Sequence, residues 1–204
     1  FPDQSIYNLL CDIEWDTPVG DRLACGGDAL IRVNAFTQVQ GFRDDLIAGE
    51  EPEMCFRLRC EDWKIYRLDA EMTLHDAAMT KFSHWWKRAK RAGYAYVASF
   101  YLHGQSTEKF KRREVFSILF WGFLIPVMIV ALSMFNYYLL TGFLIYAVQI
   151  IKVFIKLKLK NKNLSIQFIY SVFIILAKFP QLLGVIEFIR NKILRRKEYL
   201  IEYK

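Results

Sequence analysis

No charged residue stands between Val115 and Ile151, a run of 37 positions in a chain of 204. A soluble core seldom holds so long an apolar run, and one membrane span needs only about 20 residues. The same lack of charge speaks against a channel or transporter, whose path needs ionisable groups inside the membrane. Cysteine is scarce as well. Cys11, Cys25, Cys55 and Cys60 lack the paired spacing of a zinc module and read as reduced residues in or near the core, with Cys55 and Cys60 close enough in sequence to meet. The chain shows no aromatic RNA-binding motif, no helix-turn-helix pattern, no internal repeat, no low-complexity stretch and no visible signal peptide. Its formal net charge is +7, but the basic excess clusters around the apolar runs. That placement suits an anionic membrane surface and not nucleic acid.

The second half is therefore read as membrane-associated. Residues 115–135 and 138–155 form two transmembrane helices, with a tight turn around Asn136-Tyr137-Tyr138 and a kink at Pro126. Basic flanks at Lys109–Arg113 and Lys152–Lys162 place both ends of this hairpin in the cytoplasm. Residues 164–177 are apolar but only 14 long, and Lys178 and Pro180 break the run. Beyond them Leu182, Val185, Ile186, Ile189 and Ile193 share one helical face. The reading is a re-entrant or interfacial helix pair with a basic, cytoplasmic C-terminus. The alternative is a third tilted span with Lys178 reaching to the interface. The chain thus divides at 1–102, 103–163 and 164–204, as a multi-pass protein of the cell membrane.

In the polar first half, Cys25-Gly26-Gly27-Asp28 is a turn, Ala29–Val33 a short strand, and Asn34 the cap of a helix that Gly41 ends. Gly49-Glu50-Glu51-Pro52 opens a second helix, with Pro52 read at its first position. Met54, Cys55 and Leu58 fall on one face of it; Glu53, Arg57 and Glu61 fall on another as i,i+4 pairs. Two carboxylates at a helix mouth are favoured in their ionised form by the helix dipole. Such a carboxylate suits a general base, and it equally suits a plain cap. Two strand-like runs come next, at 64–68 and 72–75. His75 closes the second, as a structural residue or a metal ligand. Residues 80–97 read as a helix with Phe82, Trp85, Ala89, Ala92 and Tyr96 on one face and Lys81, His84, Arg88 and Arg91 on another.

Two of these blocks together resemble family 2 glycosyltransferases. The first is Gly26-Gly27-Asp28-Ala-Leu-Ile-Arg-Val-Asn-Ala-Phe leading to Gly41-Phe42. The second is Gly49-Glu50-Glu51-Pro-Glu53-Met-Cys-Phe-Arg-Leu-Arg. The resemblance covers residues 20–100. It implies an α/β fold: part of a Rossmann-like GT-A domain, followed by transmembrane and interfacial helices. It implies inverting transfer from a nucleotide-sugar donor to a lipid-linked or glycan acceptor. Glu51, with Glu50 beside it, takes the base role, although the family more often has Asp there. Gly26, Gly27, Asp28 and Glu53 would lie beside the substrates. Trp85, Arg88, Arg91 and Gly93 match the Trp-x-x-Arg-x-x-Arg-x-Gly pattern of non-processive members, with the arginines facing the leaving diphosphate. The family's divalent cation, Mn²⁺ or Mg²⁺, would be held mostly by an N-terminal nucleotide-binding half expected upstream of this sequence, with His75 completing the set. A chain without that half is expected to transfer little alone. The competing expectation is a non-catalytic membrane anchor or assembly subunit of a cell-surface glycan system, in which the acidic helix is purely structural.

Overall fold

The computed structural model describes residues 2–70, 73, 76–157 and 163–195. The polar half begins with helix α1 (Ile6–Trp15), capped by the Ser5 hydroxyl, which accepts from the Asn8 N–H at 3.0 Å. Ser5 also donates to the Met79 carbonyl, and the buried Asn8 side chain accepts from the Met79 N–H at 2.8 Å. These bonds pin the segment before the long helix α4 (Phe82–His103) to α1. Strand β1 (Gly20–Arg22) pairs antiparallel with β2 (Ile65–Arg67), Gly20 opposite Arg67. This pair is the one sheet among the described residues. The class is mixed α/β with a small sheet and several long apolar helices.

The strand expected at Ala29–Val33 does not form: the backbone is irregular up to α2 (Val33–Gln38). Leu30 and Val33 point to solvent there, so no neighbouring strand supplies the pairing that a short apolar run needs. Residues 72–75 lie outside the described residues apart from Thr73, and so does His75. Helix α3 (Glu50–Cys60) starts two positions before the expected one, so Pro52 is its third residue. The missing N–H is harmless there, since the first four have no partner within the helix. Gly49, before α3, has φ +82°, and a Cβ there would stand 2.9 Å from the Ala95 Cβ of α4. Only glycine meets both demands.

Buried clusters join these elements, and one of them, Cys11, Ala77 and Met79, seals α1 onto the segment before α4. Ala35, Val39, Met54, Cys55 and Leu58 seal α2 onto α3. Leu10, Trp85 and Ala89 seal α1 onto α4. Tyr94, Val97, Ala98, Val115, Ile118, Val185 and Phe188 join α4 to the apolar second half.

That half holds three helical stretches long and apolar enough to cross a membrane: Arg112–Ser133, Tyr137–Lys156 and Leu164–Ile193. They are consistent with a multi-pass membrane protein. The first contains α5 (Arg112–Ile118), π-helical turns over Leu119–Leu124 and α6 (Ile125–Ser133). The widened turns sit directly before Pro126, which cannot donate to the helix ladder. Asn136 makes the expected turn, its side chain accepting from the Tyr138 N–H at 3.0 Å, and α7 (Leu144–Lys156) completes the second stretch. The third stretch comprises α8 (Leu164–Leu176) and α9 (Lys178–Ile193). Along its length α9 packs on α4, with Lys90 Nζ 2.7 Å from Glu187 Oε2. The second half of the stretch therefore runs beside the helix that carries the polar half.

Candidate functional site

Glu51 sits in the first turn of α3, where the dipole favours negative charge. Its Oε1 accepts from the backbone N–H of Cys25 at 2.7 Å and of Gly26 at 3.0 Å. The thiols of Cys25 and Cys55 also donate to it, each at 3.1 Å. The Gly-rich turn and the acidic helix, 25 positions apart, are thus clasped at one carboxylate oxygen. Among the described residues the second oxygen takes no hydrogen bond. The two sulfurs lie 3.4 Å apart, and Cys25, Glu51 and Cys55 form a cluster of three potential metal-ligating side chains. The Cys55 thiol is pushed well above its ordinary pKa by its hydrogen bond with Cys25, then by burial and by Glu51. Cys55 thus meets Cys25 and not Cys60, which is exposed. The i,i+4 spacing of Glu51 and Cys55 already put those two on one helix face; only the fold brings Cys25 to them.

The other expected site residues are distributed differently. Glu50 is half-buried beside Glu51 and Gly27 is exposed. Asp28 accepts from the Thr73 hydroxyl. Glu53 departs from the substrate contact that the resemblance implies. It is fully buried, 2.8 Å from Arg57 Nη2 and 2.7 Å from His103 Nε2. Arg57 in turn donates to the carbonyls of Val39 and Gly41, which ties α3 to the end of α2. Trp85 is buried, edge-on to Phe173 with ring centroids 4.8 Å apart, and it lines the cavity that holds Arg88 and Arg91. The position of His103, 50 residues from Glu53, left no sequence signal.

Arg88 and Arg91 are brought together in a cavity of about 360 Å³ between α1, α4, α8 and α9. Its wall includes Glu14, Arg88, Arg91, Lys178, Tyr96 and Gln181 with apolar groups from α8, and it reaches Gly49, the residue before the acidic pair. Arg88 pairs with Glu14 at 2.5 Å, and Arg91 donates to the Ile47 carbonyl at 3.3 Å. Burial, reinforced by Glu14 and Glu114, raises the Tyr96 phenol, which keeps it a donor. In the sequence Lys178 only interrupts an apolar run; the fold makes it the third cation of this wall.

Comparison with protein-family models, with curated proteins and with solved structures gave no match. The site must be interpreted from its own geometry.

The donors at Glu51 do not suit Mn²⁺ or Mg²⁺, and His75, the residue expected to complete the family's cation set, lies outside the described residues. Those ions take oxygen ligands, and two of the three groups gathered there are thiols.

Proposed function

We propose that this chain carries the acceptor side of an inverting glycosyltransferase, with Glu51 as the general base. One observation supports this reading above the rest. The backbone N–H groups of Cys25 and Gly26 fix one oxygen of Glu51 and leave the other without a partner among the described residues. A base needs a carboxylate that is held in orientation yet retains an accepting lone pair. In the reaction proposed, that oxygen takes the proton of an acceptor hydroxyl as the hydroxyl oxygen bonds to the anomeric carbon. The bond from that carbon to the nucleotide diphosphate breaks in the same step, with inversion. The cavity beside Gly49 supplies Arg88, Arg91 and Lys178, whose charge offsets phosphate oxygens of the donor or of a lipid-linked acceptor. Its apolar wall from α8 suits a lipid chain entering from the membrane. In this reading α9, held along α4, lies at the cytoplasmic interface. No step is assigned to a divalent ion.

A second reading, an anchor or assembly subunit, draws on the same carboxylate: four hydrogen-bond donors on one oxygen also make a structural clasp. The test is sugar transfer from nucleotide-sugar donors into lipid and glycan fractions of membranes containing the intact protein. Glu51→Gln preserves the shape and an accepting oxygen but removes the basicity. Loss of transfer by at least about 100-fold, with helicity and membrane insertion unchanged, supports the base role. Activity within a few fold of the wild type refutes it.

A further inference from the structure

We propose that Cys25, Glu51 and Cys55 form a binding site for one thiophilic divalent cation, with Zn²⁺ the best match. The argument is the chemistry and spacing of the donors. Zn²⁺ takes sulfur at about 2.3 Å and oxygen at about 2.0 Å in tetrahedral geometry. Those lengths put two sulfurs roughly 3.8 Å apart and each sulfur roughly 3.5 Å from the oxygen. The observed triangle is 3.4 Å between sulfurs and 3.1 Å from each sulfur to Glu51 Oε1. An outward movement of under about half an ångström at each edge, within reach of side-chain rotation alone, opens it to the metal-bound size. Two ligands, Glu51 and Cys55, sit one turn apart on α3, and the third enters from the adjoining turn. The N–H groups of Cys25 and Gly26 already orient the carboxylate, the role that outer-shell hydrogen bonds play at metal centres. Cys25 is only partly buried, which leaves a route for the ion and room for water as the fourth ligand. Two thiolates with one carboxylate select a soft or borderline ion over Mg²⁺ or Mn²⁺.

Binding exchanges the two thiol protons for the ion, with no change of oxidation state. The ion then cross-links the Gly-rich turn to α3. It also draws on the carboxylate whose other oxygen the glycosyltransferase reading uses as a base, so loading the site lowers the basicity of that oxygen. The site does not depend on that reading, since metal binding is measured without any transfer assay.

The experiment is a Co²⁺ titration of the intact detergent-purified protein under a phosphine reductant, followed by optical absorption. The expected result is one equivalent bound, with a thiolate-to-cobalt charge-transfer band and tetrahedral ligand-field bands, both abolished by Zn²⁺ displacement. Cys25→Ser and Cys55→Ser remove the charge-transfer band, and Glu51→Gln weakens binding at least about tenfold, by analogy with the loss on removing a metal's supporting ligands. Cys11→Ser with Cys60→Ser leaves the band intact. A measurement without substitutions guards against misfolded variants: Zn²⁺ protects the partly buried Cys25, but not Cys60, from alkylation read by peptide mass spectrometry. Absence of the charge-transfer band in the wild-type protein, its survival in the Cys25→Ser/Cys55→Ser protein, or no Zn²⁺ protection of Cys25 overturns the proposal. If no ion binds while Glu51→Gln still abolishes transfer, the metal site falls and the base assignment stands.

Discussion

The contact between α4 and α9 predicts a specific intolerance. A Cβ added at Gly93 would lie 2.1 Å from the Gln181 carbonyl oxygen and 2.5 Å from its Cα, both backbone atoms of α9. The reciprocal position is as tight: a Cβ at Gly184 meets the Lys90 carbonyl at 2.1 Å and the Tyr94 nitrogen at 2.6 Å. Ordinary contact begins at 3.4 Å, so Gly93→Ala requires α9 to withdraw by about 1.3 Å. No side-chain rotation can relieve a clash with backbone. The withdrawal loosens Tyr94, Val97 and Ala98 from Val185 and Phe188, at a cost of about 3 kcal/mol for overpacking. The better helix propensity of alanine offsets about 1 kcal/mol, leaving a net loss near 2 kcal/mol. For a chain of this size that is a fall of about 4–8 °C in the unfolding midpoint, measured by thermal denaturation in detergent. Gly27→Ala is the control, because a Cβ there meets nothing within 4 Å. The double variant Gly93→Ala/Gly184→Ala loses less than the two singles added, since one withdrawal relieves both clashes. If Gly93→Ala unfolds with the wild type, or the double variant is strictly additive, the helices are not packed at this spacing and the reasoning fails.

Three more outcomes are expected. Glu53→Ala strands Arg57 in the interior and costs about 3–5 kcal/mol in denaturant unfolding; a loss under about 1 kcal/mol contradicts the buried position of this pair. Cys11, outside the membrane stretches, has its thiol pushed up to about 11, mainly by burial, with Arg88 acting in the opposite direction and Glu14 in the same. It therefore resists alkylation at about pH 8 while Cys60 reacts, as peptide mass spectrometry reports. The folded thiol keeps its proton above 9.0, where the unfolded one releases it. The contribution of Cys11 to stability is thus complete below about pH 9 and falls as pH rises toward about 11, by at most about 1.4 kcal/mol per unit. Finally, in sealed vesicles of a Cys60→Ser background, an impermeant maleimide labels Ile193→Cys from the same side as Leu157→Cys and opposite to Tyr137→Cys. Labelling of Ile193→Cys with Tyr137→Cys means that Leu164–Ile193 crosses the membrane and α9 is not interfacial.

The parts of this fold that the sequence announced are those fixed by local rules. A charge-free run and one asparagine defined the helical hairpin, whose turn is capped by Asn136 as expected. Gly49 and the acids after it marked the start of α3 to within two residues. The run at Ala29–Val33 failed because a short strand is stabilised by a partner, and its own residues say nothing of whether one is present. The cavity was invisible for the same reason. Glu14 and Arg88 are 74 positions apart, and Lys178 comes from the apolar second half. Their meeting depends on α4 lying against α1 on one side and α9 on the other.

The different fates of the acids in α3 arise from helix geometry. Successive residues are about 100° apart around the axis, so Glu51 and Glu53 point about 200° from one another. With Met54, Cys55 and Leu58 buried against α2, one of two acids spaced i,i+2 can face the Gly-rich turn only if the other turns elsewhere. Glu53 turns inward, and a buried carboxylate must then be compensated, as it is by Arg57 one turn later and by His103 of α4. Cys55, at i+4 from Glu51, repeats the direction of Glu51 and brings a thiol to it. The spacing thus assigns distinct physical tasks to the acids of α3. Glu53 holds the helix in place, and Glu51 is left at the turn with one oxygen able to accept a proton and the other beside the two thiols. A substitution at Glu53 should therefore act through stability and one at Glu51 through chemistry. Glu53→Asp, too short to reach both Arg57 and His103, is predicted to lower the unfolding midpoint while leaving Co²⁺ binding at Cys25 and Cys55 unchanged.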